Sequence, residues 1–430
     1  MKVPAFVRRA DPRVVFGGLG PGQLATYRLH LLSSLAAAAV SGVMLNSEYI
    51  TANGLHATAW QITLLVMIWP MSNSLSVFVN TIIERSGRFE RAVILAGLLR
   101  LPVALMYFSR SASVLLVLLG LYSAADSVLV PVLNNILREK YSEGRRGFLL
   151  GWAVSFFTLF SVPAAILVGR LLDADFGVYR ILFVCMAASG FAHAMIFSRM
   201  ARGLRSYWEP GREGVLRRLV RVFSRDRRFA LFEAYFMIYG FAFMMVLPAI
   251  PLFARDCLGL RYEQYALAKG LVAQVGILLL SPFMGVRVER WHPFRFTGMV
   301  CLVLSLYPLG LALSGLLPGA GVVMFFGAFA VYSVAMAGIN ISWNMSSLHF
   351  APEGQAATYQ GLHLTLTAAR GLVAPLLGNA IMQISGYRST FLASAGLFAL
   401  AGLLYLRRYR SGGKADDERY GRTEPAACPA

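Results

Sequence analysis

Charge is scarce in this chain. Asp, Glu, Lys and Arg make up 14% of its 430 residues, against 57% hydrophobic residues. A soluble globular domain carries roughly a quarter of charged residues, so a dispersed, water-soluble protein is excluded. Acid is scarcer still, with 21 Asp and Glu against 40 Lys and Arg and a net charge of +19. Cysteine is nearly absent: Cys185, Cys257, Cys301 and Cys428 show neither metal-site spacing nor a disulfide framework. The sequence also lacks a His-Glu-x-x-His motif, paired histidines and a phosphate-binding glycine loop. Metal chemistry and ATP hydrolysis within this chain therefore have no basis in its motifs, and no cofactor or metal is expected. No nucleophile stands beside a base, so an enzyme is not expected either.

What the chain has instead is long apolar runs. Twelve recur near residues 28–50, 60–83, 92–110, 113–137, 147–169, 178–198, 229–253, 264–286, 295–315, 319–346, 361–385 and 389–406. Each approaches the roughly 20 residues that cross a hydrocarbon core of about 30 Å. They lack the alternation of barrel strands, and lipid leaves no bare backbone group satisfied, so the runs are predicted as helices. The expected fold is an all-α membrane protein of twelve transmembrane helices.

The positive charge is unevenly placed. Most Lys and Arg fall in the amino terminus, the loops after even-numbered helices and the carboxyl terminus. By the positive-inside rule both termini are cytoplasmic, in a multi-pass protein of the cytoplasmic (inner) membrane. The basic leader runs into a full-length span without a signal-peptide cleavage pattern.

The expected organisation is a basic amino terminus (1–27), a first six-helix bundle (28–198), a basic linker (199–228), a second six-helix bundle (229–406) and a disordered tail (407–430). In the linker, Leu216, Leu219, Val220 and Phe223 recur at helical spacing among arginines. That pattern fits either an amphipathic helix lying on anionic lipid or a solvated segment that enforces topology. No recognition fold surrounds it, so nucleic acid is not an expected partner.

One charged loop occurs twice, about half a chain apart. The first copy reads Asn80-Thr-Ile-Ile-Glu84-Arg85-Ser-Gly87-Arg88, and the second Gly285-Val-Arg-Val-Glu289-Arg290-Trp-His-Pro. Two pseudo-symmetric halves follow, with a substrate path at their interface. On these residues the chain resembles the major facilitator superfamily over roughly 20–408. The family's loop signature, G-x-x-x-D-R-x-G-R, is matched by Glu84 in place of Asp, Arg85, Gly87 and Arg88, with Asn80 in place of Gly. The second copy keeps Gly285, Glu289 and Arg290. An acid at a helix end can cap the positive start of a neighbouring helix. Glu84 is expected to face the eleventh helix near Gln360, and Glu289 the fifth near Gly147, as latches between the halves.

Ionisable groups inside spans usually face a partner or a water-filled path. Arg100 and Asp126 both fall near the midplane and are predicted to form an ion pair. Arg370 lies about two turns inside the eleventh helix, and Glu233, one turn into the seventh, could neutralise it. The guanidinium fork suits an organic anion, while a structural pair is the competing reading. Asn340 and Asn344 share a helix face beside Trp343, able to bind a ligand or to join helices. His363, near the inner mouth, is a proton candidate. The resemblance implies that helices one, four, seven and ten surround the cavity, which gives Asn46, Asp126, Glu233 and Asn340 lining roles. The family's antiporter signature is not reproduced, since Val162 precedes Pro163.

The expected function is secondary active transport of a small solute by alternating access, proton-coupled, with an organic anion as one substrate class, by a monomer. The alternatives are an exporter or facilitator of amphipathic compounds, or a transporter-like receptor without turnover.

Overall fold

A computed structural model describes residues 19–206, 221–317, 319–351 and 356–413. The linker residues Leu216, Leu219 and Val220 and the end of the tail lie outside the described residues, as do the side chains of Glu289, Arg290 and Asn344. Among the described residues, eleven helical runs are long and apolar enough to cross a membrane.

The first six are α1 (Pro21–Tyr49, extended by a π turn to Gly54), α2 (Ala59–Ser86), α3 (Phe89–Arg100, tightening to a 3₁₀ stretch Leu101–Phe108), α4 (Ala112–Ala124 and Asp126–Lys140), α5 (Glu143–Ala174) and α6 (Tyr179–Met200). Then come α7 (Arg227–Val246 and Ala249–Asp256), α8 (Tyr262–Ala266, a π segment Leu267–Val275, and Gly276–Arg290), α9 (Pro293–Ser314) and α10 (Gly321–Phe350). The final run, Ala356–Arg408, is 53 residues long. At about 1.5 Å per residue it would measure roughly 80 Å, more than twice a hydrocarbon core.

It is two helices. Gly386, at φ 81° and ψ 176°, breaks it. Contacts with α7 establish that the chain reverses there. Tyr359 Oη meets Asp226 Oδ2 at 3.0 Å near the start of α7, and Tyr387 bonds Asp256 at its end. Ser394 Oγ then donates to the Ala242 carbonyl at 2.7 Å, and Tyr405 Oη to that of Phe232 at 2.9 Å, back near the start. With α11 as 356–385 and α12 as 387–408, the chain has its twelve passes.

Local chemistry explains the boundaries. The side chain of Thr58 accepts from the Gln61 amide at 3.3 Å while Gln61 Oε1 accepts from the Thr58 amide at 2.9 Å, a reciprocal cap that starts α2. Gly87 ends it at φ 62°, in the left-handed region, with its N–H on the Ile83 carbonyl at 2.9 Å. The glycine of the repeated loop therefore has a backbone reason to be there. Pro102 lacks an N–H, and the helix tightens beyond it.

Helices α1–α6 form one half and α7–α12 the other. The side of the bundle where the described chain begins and ends is called the terminal side here, and the opposite one the far side. At mid-height α2 meets α11 closely: a Cβ on Gly371 would lie 2.4 Å from the Pro70 ring.

Candidate functional site

The halves are joined on the far side. Asp173, at the end of α5, accepts the backbone amides of Tyr262 at 2.8 Å and Glu263 at 2.9 Å, the first turn of α8. Arg170 Nε pairs with Glu263 Oε1 at 2.7 Å, and Lys269 pairs with Glu48 on α1. Arg255 Nη1 donates to the Ala52 carbonyl at 2.6 Å, and the Tyr49 hydroxyl to the carbonyl of Leu260. Tyr49 also stacks on Tyr265, with centroids 4.5 Å apart. These hydrogen bonds and ion pairs all join the halves on the far side. Glu48, Lys269 and Asp173 carry no motif, because a charge at a helix end looks the same in sequence whether it meets water or another helix.

A second cluster lies inside the carboxyl-terminal half. Glu233 meets His363 Nδ1 through both carboxylate oxygens, at 2.9 and 3.1 Å, and both residues are buried. Trp343 packs edge-on against His363 with centroids 5.5 Å apart, and Phe236 does so at 4.9 Å. Among the described residues His363 Nε2 has no hydrogen-bond partner.

Arg370 is placed differently from the expectation that Glu233 would neutralise it. Its Nη1 donates to the Phe236 carbonyl at 2.8 Å, and its guanidinium lies 5.0 Å from the Phe236 ring centroid and 5.6 Å from that of Tyr239. Room for it comes from Gly240, where a Cβ would fall 2.2 Å from Arg370 Nε. No ion pair joins it to Glu233 among the described residues. The reason is axial: His363 is level with Glu233, whereas Arg370 sits two turns further along α11.

The amino-terminal half holds a third cluster. Arg100 Nη2 and Asp126 Oδ1 are 2.5 Å apart, which brings together the two residues that the sequence paired. Arg100 also donates to the Gly190 carbonyl at 3.4 Å and lies over the Tyr122 ring at 4.8 Å. Asp126 begins the second piece of α4, after a tight turn in which the Ala125 amide bonds the Tyr122 carbonyl. A cavity of about 250 Å³ opens beside the pair, with His30, Ser33 and His193 on its wall. These histidines are 163 positions apart in sequence and signal nothing there; only the packing of α1 on α6 makes them neighbours.

Other candidates fall elsewhere. Asn46 is fully buried and ties α1 to α5, its amide donating to the Gly42 and Ala165 carbonyls at 2.9 Å each, so it holds helices together here rather than facing a path. Asn340 is exposed, on the same helix as Trp343. Glu84 is bonded within its own half: Asn135 Nδ2 donates to its Oε1 at 2.9 Å, and Ser206 Oγ to its main-chain carbonyl at 2.5 Å. Arg85 and Arg88 are exposed on the same loop, Asn80 and Gly285 are half-buried, and Glu289 and Arg290 belong to the end of α8. Among the described residues no group of three or more His, Cys, Asp or Glu is arranged to hold a metal.

Comparison with known proteins gives three findings. The family model described as Major Facilitator Superfamily matches residues 29–375. No curated protein matches the sequence. Among solved structures, the chain is similar to a bacterial homolog of the human lysosomal transporter Spinster in an inward-facing and unoccupied conformation, at 14% identity and TM-score 0.67, covering 95% of this chain and 100% of that one. It is also similar to the nucleoside transporter NupG, at 12% identity and TM-score 0.65, covering 91% of this chain and 100% of that one.

Proposed function

The chain belongs to the major facilitator superfamily, and we propose that this membrane transporter works by alternating access in the cytoplasmic membrane, with both termini in the cytoplasm. The observation that carries the mechanism is the closure on the far side. Two ion pairs, two carboxylate-capped amides and a tyrosine stack join the halves on the far side. If the basic terminal side is cytoplasmic, the conformation is closed outward and presents its substrate path to the cytoplasm. Small solute and monomeric action complete the reading, with anionic lipid as the partner of the basic linker.

Between the two substrate classes raised by the sequence, the geometry favours amphipathic compounds over organic anions. An anion would need the Arg370 fork, and that guanidinium is 4% exposed, with Nη1 on a carbonyl and two aromatic rings beside it. Coupling to protons is assigned to Glu233 and His363, a buried carboxylate–imidazole pair able to hold or release a proton as the half moves.

The test is flux in proteoliposomes, with organic cations, neutral amphiphiles and organic anions offered under an imposed pH gradient. Gradient-dependent accumulation of amphiphiles is expected. Accumulation of anions alone would reverse the substrate class, and binding without any flux would favour a receptor.

A further inference from the structure

The cavity beside Arg100 and Asp126 is lined by residues of α1, α3, α4, α5 and α6, all in the amino-terminal half. Its walls are sorted by chemistry. Leu133, Val154, Phe157 and Phe197 supply an apolar length, and one end carries Asp126, His193 and Ser33. Val130 and Val154 are its most exposed lining residues, at 50% and 49%, and mark a mouth between α4 and α5.

The polar end is electrically lopsided, although its ion pair is neutral. The Arg100 side chain is 6% exposed and that of Asp126 is 35% exposed. The guanidinium is turned to the back wall, held by Asp126 Oδ1, the Gly190 carbonyl and the Tyr122 ring. Asp126 Oδ2 accepts no hydrogen bond among the described residues. His193 Nδ1 lies 3.0 Å from the Ser33 carbonyl oxygen, which can only accept, so Nδ1 carries a proton. In the neutral ring Nε2 is then a second acceptor. Toward a visitor the polar end thus presents the second carboxylate oxygen of Asp126 and the Nε2 acceptor of His193, beside the Ser33 hydroxyl, whose Oγ lies 3.0 Å from the same Nδ1.

We propose that this cavity is a binding site for an amphipathic amine, whose ammonium donates to Asp126 Oδ2 while its apolar body lies along Leu133, Val154 and Phe157. A carboxylate with one oxygen on Arg100 retains lone pairs for a second donor, and hydrogen bonds to charged groups are the stronger kind. The volume sets the size: an apolar cavity of about 150 Å³ holds benzene, so about 250 Å³ suits a body of roughly ten heavy atoms. A carboxylate head would meet Asp126 oxygen against oxygen. A neutral alcohol would keep a hydrogen bond and lose the charge. Binding here stands on the cavity alone, while its use in flux rests on the transporter reading above.

The experiment uses purified full-length protein and three probes with one body: 2-phenylethylamine, 2-phenylethanol and 3-phenylpropionate. Calorimetry should find the amine bound at least tenfold more tightly than either of the others. Asp126→Asn should weaken the amine at least tenfold. Val154→Trp, at the exposed mouth, should weaken all three while leaving the circular dichroism spectrum and elution volume unchanged, which guards against misfolding of the first variant. Tighter binding of the carboxylate, or amine binding indifferent to both substitutions, would overturn the site. The same preparations in liposomes separate the two claims. Amine binding that depends on Asp126 without flux upholds the site and sinks the transport reading for amines, whereas flux unaffected by either variant together with unaltered binding sinks the site alone.

Discussion

The carboxylate of Asp173, at the end of α5, accepts the backbone amide of Tyr262, the first residue of α8, at 2.8 Å. One half of the molecule thereby caps a helix of the other. Its second oxygen takes the next amide, of Glu263, so the α8 start has two of its free donors satisfied by one acid. The contact must break for the far side to open, and it carries the first expectation below.

Asp173→Ala should loosen far-side closure. A carboxylate on a helix start contributes about 0.3–2 kcal/mol, which corresponds to a change of at most roughly thirtyfold in the open-to-closed ratio. Maleimide labelling of a cysteine placed at Tyr262 reports this opening, and labelling should quicken in the variant. Unchanged labelling would remove Asp173 from the gate.

Glu48 and Lys269 form a partly exposed pair across the halves, at 24% and 26% side-chain exposure, with Tyr265 Oη 3.3 Å from the same carboxylate oxygen. Partly exposed pairs couple by about 1 kcal/mol or less. Glu48→Lys and Lys269→Glu should each slow transport, and the double exchange should recover much of the loss. A double variant as slow as the sum of the singles would mean that the residues act separately.

Arg370→Lys should lower thermal stability more than it alters substrate affinity. A lysine cannot keep both the bond to the Phe236 carbonyl and the flat contact with two rings. Losing a charge-assisted hydrogen bond costs about 1.5–3 kcal/mol. Thermal unfolding followed by tryptophan fluorescence provides the measurement, and a stable variant with weakened anion binding would restore Arg370 as a substrate group.

Glu233→Gln should abolish the dependence of flux on a pH gradient while leaving downhill exchange. The amide keeps a hydrogen bond to His363 but cannot change charge. Gradient-driven accumulation that survives this substitution would place coupling elsewhere.

Much of the architecture could be read from residues alone, and the reason is solvent. Lipid accepts no unsatisfied backbone, so a run of twenty apolar residues has one outcome, and twelve such runs with a repeated charged loop describe two six-helix halves. The Arg100–Asp126 pair was legible for the same reason, since two opposite charges at one depth have few other partners. Gly87 was legible as a motif residue, though its left-handed backbone was not.

Depth along a helix is what the sequence determines here, because rise per residue is constant. Which faces meet is decided only by packing. The sequence placed Glu233 and Arg370 near one end of the bundle, and the rotation of α11 on α7 gave Glu233 to His363 and Arg370 to a carbonyl. It placed an acid at the end of α2 as a latch, and the packing of α4 set Asn135 beside that Glu84 as well. The same idea is realised at Asp173, on the opposite side of the molecule. His30 and His193 share a cavity for no reason visible in their spacing. Composition and helix length settle what crosses the membrane; side-chain azimuth, set by the sum of many weak contacts between helices, settles which charges find each other.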